Sequence, residues 1–207
     1  MTVGDHFGRV AAVYDSLRTT DEAPVRAIGR FLPDRPVTGL DVGCGTGRYS
    51  RLLRKVLADG SVLAASDVSA AMLAQLRAGT RGQTQGVVPL LAAAEELPLR
   101  AASLDLVTAF NCVHHFDLGR FLAAAARVLK PAGQLFIYTR TPQQNARTIW
   151  GRYFPRFHRA REAPAQDLRA AIAAFLARLP GPEVHWVDEH LLVVAGATHR
   201  NQAESDA

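Results

Sequence analysis

Cysteine is scarce in this 207-residue chain, with only Cys44 and Cys112. Two cysteines provide no disulfide framework and no cluster of metal ligands, so no metal is expected. A bridge between them would also be out of place in what reads as a cytoplasmic protein. No run of eighteen apolar residues occurs, which excludes a membrane-spanning helix, and the opening MTVGDHFGRV lacks the apolar centre of a signal peptide. Lysine is nearly missing as well. The formal charge of +5 is carried by arginine, with only Lys55 and Lys130 beside it. What the chain does have is 48% hydrophobic residues, enough to bury one large core without staples.

The most informative stretch is Leu40 to Ser50, LDVGCGTGRYS. An apolar strand end, a carboxylate (Asp41) and alternating glycines (Gly43, Gly45, Gly47) run into a helix start. Glycine removes the side chains that would keep a ligand off the backbone. The dinucleotide pattern G-x-G-x-x-G needs a small residue where this chain has Arg48, and an acid at the strand tip would repel pyrophosphate. An acid suits a ligand bearing ammonium and sulfonium charges. A purely structural strand-to-helix turn remains the alternative reading of this motif.

About twenty residues on, SVLAAS (Ser61 to Ser66) reads as a second buried strand ending in Asp67. In a right-handed strand-helix-strand unit the two strand tips lie side by side, so Asp67 is placed to accept bonds from both hydroxyls of a ribose. Such charge-assisted bonds contribute roughly 1.5 to 3 kcal/mol each where water is excluded. Asp67 could instead cap the following helix, but Ser69 is an equally good cap and would leave Asp67 to a ligand.

Beyond these motifs the chain carries DVSAAML (Asp67 to Leu73), AEELPL (Ala94 to Leu99), LDLVTAFNCVHHF (Leu104 to Phe116) and RVLKPAGQLFIY (Arg127 to Tyr138). In this order the motifs resemble those of the class I S-adenosylmethionine-dependent methyltransferases, in particular the group with the ubiquinone and menaquinone biosynthesis enzymes. The resemblance covers roughly residues 5 to 140 and implies S-adenosyl-L-methionine as cofactor. It implies that Asp41 orients the methionine ammonium, directly or through water, while Gly43, Cys44, Gly45 and Gly47 line the methionine and ribose. Asp67 would hold the ribose, and Val68 and Met72 would pack the adenine faces, although Met72 is equally an ordinary core residue. The backbone of Ala94 and Glu95 would meet the adenine edge, and Asn111 would offer its carbonyl to the ammonium. Phe7 to Asp15 resembles the start of the same group, where a Tyr at the position of Tyr14 closes over the cofactor. Relatives often carry Asp at the place of Ala93, and here that acceptor is missing.

The elements alternate as a parallel sheet requires. Two N-terminal helices (Asp5 to Leu17, Glu22 to Leu32) are expected to precede strand Gly39 to Val42, helix Gly47 to Val56, strand Ser61 to Ser66 and helix Ala70 to Arg77. Strands Val87 to Leu91 and Leu104 to Phe110, helix Leu118 to Leu129 and strand Gln134 to Thr139 follow. The expected class is α/β, a Rossmann-like, doubly wound, mostly parallel sheet with helices on both faces. An antiparallel C-terminal hairpin (Val184 to Val187, Leu191 to Ala195) turns at Asp188 and Glu189. Strand order should reverse between the first and fourth strands, which makes the crevice there the ligand site. The chain then divides into an N-terminal helical cap (1–35), the cofactor-binding core (36–140), an Arg- and aromatic-rich lid with a helix and hairpin (141–197), and a disordered tail (198–207).

Methyl transfer from a sulfonium is an in-line displacement that depends chiefly on alignment, which contributes roughly 7 to 11 kcal/mol. A base is needed only for a protonated acceptor. His114 and His115, just past Asn111, are candidates for it, or alternatively caps for the helix that begins near Asp117. Arg140, Trp150 and Tyr153 are weaker candidates for acceptor contacts. Between Arg140 and Arg161 lie six arginines before the first acid, interleaved with Trp150, Tyr153, Phe154 and Phe157. That composition suits a lid, an acidic small-molecule pocket or nucleic acid, and Pro155 argues against one long membrane-lying helix. The favoured reading is transfer to a small-molecule acceptor at oxygen, nitrogen or carbon. Methylation of RNA or a polypeptide through the Arg-rich segment, and cofactor binding without chemistry, are the alternatives. The compact C-terminal half also leaves room for a homodimer that completes the pocket.

Overall fold

The computed structural model describes residues 11, 15, 20–79, 86–139, 170, 172, 183–186 and 191–195, the last two stretches by backbone alone. Outside them lie most of the first expected helix, the Arg-rich segment 141–169, the turn at Asp188 and Glu189, and the tail 198–207. Of the expected helix Ala165 to Leu179, Ala170 and Ile172 are described, both helical, and Ile172 is buried.

Helix α1 (Ala23–Gly29) opens with Pro24 in its first turn, where a missing N–H costs nothing. Then come β1 (Thr38–Val42), α2 (Arg48–Val56), β2 (Val62–Asp67), α3 (Ala70–Gly79), β3 (Val87–Leu91), β4 (Leu104–Phe110), α4 (Leu118–Val128) and β5 (Leu129–Tyr138). Strands β6 (Glu183–Trp186) and β7 (Leu191–Ala195) complete a seven-stranded sheet in the order β3-β2-β1-β4-β5-β7-β6. The first five strands are mutually parallel, while β7 runs antiparallel to β5 and to β6. Strand order reverses at β1, which pairs with β2 on one side and β4 on the other. All five parallel strands therefore end on one rim, with a crevice between β1 and β4.

Alternation along the strands builds two cores. Val107, Ala109, Leu135 and Ile137 face one layer with Phe121, Leu122, Ala125 and Val128 of α4. Leu106, Phe110, Phe136 and Tyr138 face the other, with Ile28 of α1, Leu53 of α2 and Leu73 and Leu76 of α3. The apolar positions of α4 recur every three to four residues, which turns one stripe onto the sheet. Each such fully buried side chain contributes roughly 1.5 to 3 kcal/mol.

The passage from α4 into β5 differs from expectation. Helix α4 passes directly into β5 at Leu129, although Pro131 and Gly133 read as a turn. Leu129 pairs with Leu104, the register then shifts, and continuous pairing resumes at Leu106 with Gln134, so an irregular extended segment absorbs the proline and glycine. At the far border β3 is an edge strand holding Pro89. Leu63 N–H donates to Gly86 C=O and Ala92 N–H to Asp67 C=O, so even-numbered residues of that segment face β2 and Pro89 faces outward.

Candidate functional site

The bend after β1 is built from three left-handed glycines with different neighbours. Gly43, Gly45 and Gly47 have φ of 65°, 56° and 80°. A Cβ on Gly43 would stand 2.8 Å from the Cβ of Cys112, and one on Gly47 2.2 Å from Cδ1 of Leu76. These two glycines serve internal packing. Among the described residues, a Cβ on Gly45 meets nothing within 4 Å. Gly45 is thus the point where bare backbone faces open space beside the crevice, a place a ligand can lie against.

Asp67 stands at the tip of β2, next to this bend. Its Oδ2 accepts from Gly45 N–H at 2.8 Å and its Oδ1 from Ser69 N–H at 2.8 Å. The expectation that Ser69 would leave Asp67 without a structural role is corrected. Ser69 does cap α3, its Oγ accepting from Met72 N–H at 3.3 Å, yet Asp67 holds the turn as well. Each carboxylate oxygen keeps a second lone pair for a hydroxyl. Burial raises the Asp67 pKa, while bonds from the Ser69, Gly45 and Val68 N–H groups oppose the rise. Beside it, Ser66 Oγ is buried and has no hydrogen-bond partner among the described residues.

Asp41 lies deeper than the sequence suggests. Its carboxylate is 1% exposed and accepts from Ser50 Oγ at 2.5 Å and from Thr108 Oγ1 at 3.0 Å. The register explains the second bond, since Asp41 sits directly across from Thr108. Burial pushes the carboxyl from 3.8 up to about 7 against the pull of both hydroxyls, and the charge of Asp67 adds to the rise. Asp41 is therefore an internal group beneath the bend, with both carboxylate oxygens engaged by hydroxyls. Ser50 and Thr108 escaped the sequence reading. Their only signal is a hydroxyl on the inward face of a helix and another inside the apolar run LDLVTAF.

The remaining expected cofactor residues divide. Val68 is 46% exposed at the rim, as a base-packing residue would be. Met72 is 1% exposed and Ala94 3%, so both side chains are buried. Glu95 is engaged elsewhere, its Oε1 accepting from Asp117 N–H at 2.8 Å. Asn111 is exposed, left-handed at φ 53°, and tied by its N–H to Tyr138 C=O at 2.7 Å. Cys44 donates to Gly45 C=O and Cys112 to Val42 C=O, both are free thiols, and burial followed by the charges of Asp41 and Asp67 pushes both pKa values up. They stay protonated at neutral pH. Among the described residues no cluster of potential metal ligands occurs.

His114 and His115 form an exposed single turn on the same rim, with ring centroids 4.0 Å apart. They do not cap α4. Asp117 does, accepting from Arg120 N–H at 3.1 Å. Tyr14 lies outside the described residues, as do Arg140, Trp150 and Tyr153. Its neighbour Asp15 accepts from Thr46 Oγ1 and pairs with Arg51 at 3.4 Å. Thr20 accepts from Arg48, and Asp21 from Tyr138 OH at 3.0 Å. Thr46, Arg48 and Arg51 thus fasten the N-terminal segment onto the glycine bend, a role that no local pattern announced.

Comparison with known proteins agrees with this geometry. A family model described as a methyltransferase domain matches residues 40–137. Malonyl-(acyl-carrier protein) O-methyltransferase of Alcanivorax borkumensis is 36% identical over 138 residues, 65% of this chain and 46% of that protein. Ubiquinone/menaquinone biosynthesis C-methyltransferase of Acidiphilium cryptum is 35% identical over 143 residues, 65% of this chain and 57% of that one. The chain spans about half the length of these curated relatives. A crystal structure of an S-adenosylmethionine-dependent methyltransferase from Mesorhizobium loti superposes with a TM-score of 0.62 at 22% identity, covering 84% of this chain and 95% of that one.

Proposed function

We propose that this chain, whose residues 40–137 match a methyltransferase domain, is a class I S-adenosylmethionine-dependent methyltransferase that transfers a methyl group from S-adenosyl-L-methionine to the oxygen, nitrogen or carbon of a small-molecule acceptor. The observation that carries this reading is Gly45, left-handed, open to the crevice, and fixed by the Asp67 carboxylate. The residues present suit a cationic nucleoside. Bound there, the cofactor supplies an electrophilic methyl carbon on a sulfonium. Gly45 lets the ligand lie against the main chain. Asp67 keeps lone pairs for the ribose hydroxyls, and Asn111, held by Tyr138, presents its carbonyl to an ammonium. Asp41 contributes negative potential from below.

His115 or His114 removes the proton when the acceptor is a hydroxyl or an acid that must ionise, since an imidazole nitrogen can accept a proton in general-base catalysis. Tyr14, next to the fastened Asp15, covers the bound cofactor. The small-molecule acceptor draws support from a relative named for C-methylation in ubiquinone/menaquinone biosynthesis, while another is named for O-methylation of malonyl-(acyl-carrier protein), an acyl group carried on a protein. Titration calorimetry with S-adenosylmethionine tests the reading. Asp67→Ala should bind 10- to 100-fold more weakly, on the order of 1.5 to 3 kcal/mol. Equal affinity in the variant would remove Asp67 from the site.

A further inference from the structure

Left-handed glycines at 45 and 47 flank Thr46, and glycine leaves such a conformation as readily as it enters it. Other groups must therefore hold the bend. On one side the tip of β2 does so, with Cys44 N–H on Ser66 C=O at 2.9 Å and Gly45 N–H on Asp67 Oδ2 at 2.8 Å. The other side depends on Thr46, which is buried. Its Oγ1 donates to Asp15 Oδ1, a charge-assisted bond, and its C=O accepts from Arg51 Nη1 at 2.8 Å. Arg51 Nη2 pairs in turn with Asp15 Oδ2 at 3.4 Å, so the three residues close a ring around the bend. An ion pair whose acid is half exposed contributes little by itself. Here both members also grip one buried residue set between two permissive ones.

We propose that Asp15, Thr46 and Arg51 are positioning residues that together hold the glycine bend in its ligand-receiving shape, so that affinity for the methyl donor depends on a carboxylate 31 positions before Thr46. The proposal rests on the reading above, in which the ligand lies against Gly45. None of the three residues has to touch that ligand. Without the network the bend populates other glycine conformations, and apparent affinity falls by the fraction of molecules that keep the competent one. A bend that is competent one time in ten binds about tenfold more weakly. The three residues act as a unit, because removal of any member frees the same peptide, and their effects are not additive.

The test is titration calorimetry with S-adenosylhomocysteine as probe, run well below the melting temperature of every variant. Thr46→Val keeps the shape and removes only the hydroxyl, and it should bind about tenfold more weakly than the native chain. Arg51→Met, which releases the Thr46 carbonyl and Asp15 together, should lose about as much. Thr46→Ser should return to within about twofold of native affinity, since its hydroxyl reaches the same carboxylate. Thr46→Val combined with Asp15→Ala should stay within about twofold of the weaker single variant, and losses that multiply instead overturn the network as a unit. A Thr46→Val protein that binds within about twofold of native, with only its melting temperature lowered, assigns the contacts to stability and overturns the proposal while the cofactor reading stands. Should that variant not fold, Asp15→Ala, altered at a half-exposed side chain, decides by the same criterion. Absence of binding by the native chain overturns the cofactor reading and this proposal together.

Discussion

Replacing Asp41 by Asn should make the protein more stable at alkaline pH. The two side chains have the same shape, and the amide keeps an acceptor for Thr108 while Ser50 can turn its hydroxyl to accept. What changes is the charge. Burial raises the Asp41 pKa from 3.8 to about 7, so between those values the folded chain keeps a proton that the unfolded chain has released. Stability must then fall as pH rises through that window, because the native state binds more protons there. A raised pKa of this size works against folding by about 2 kcal/mol at pH 5 and about 4 kcal/mol at pH 8. Urea denaturation of both proteins at pH 5 and pH 8 isolates the group, since Asp67 and the other carboxylates titrate in both. The native chain should lose roughly 2 to 3 kcal/mol more than Asp41→Asn over that interval. Parallel pH curves would show that Asp41 ionises as it does in water, and the buried electrostatics described here would be mistaken.

Gly45→Val should abolish cofactor binding at a cost of at least about 1 to 2 kcal/mol of stability, the penalty of a left-handed side chain whose Cβ meets nothing within 4 Å among the described residues. Gly47→Ala should do the reverse in emphasis, lowering the melting temperature more, since its Cβ would overlap Leu76; equal melting temperatures for the two variants would contradict the division of labour within the bend. If His115 or His114 acts as base, the double variant His114→Asn, His115→Asn should lose roughly 10²- to 10⁴-fold in kcat with the acidic limb of its pH profile removed, and cofactor affinity should stay unchanged. A retained acidic limb would assign the base elsewhere.

Much of this site was legible because it is local. Glycines at alternate positions after an apolar strand announce the bend, and the spacing to Asp67 places a second tip beside it. The three glycines read alike in sequence, however, and only tertiary neighbours distinguish Gly45 from Gly43 and Gly47. Asp41 illustrates a second limit. A strand buried on both faces gives no period-two contrast, so nothing indicated that its carboxylate points inward toward Ser50 and Thr108. Glu95 and Asp117 are joined across 22 residues, and the bonds from Asp15 to Thr46 and Arg51 span more than 30, distances at which pattern reading is blind. Met72 was ambiguous for a different reason. An apolar residue near a strand tip serves a core and a ligand equally well, and Met72, buried at 1% exposure, fits both.

Pro89 has a further effect at the outer border of the sheet. The position that would offer a donor to an arriving strand holds a ring instead, so a neighbouring chain trying to extend the sheet there meets a gap in its ladder and a steric bump. Val88 and Leu91 stand exposed on that margin, where Pro89 weakens the template they would otherwise offer a second chain.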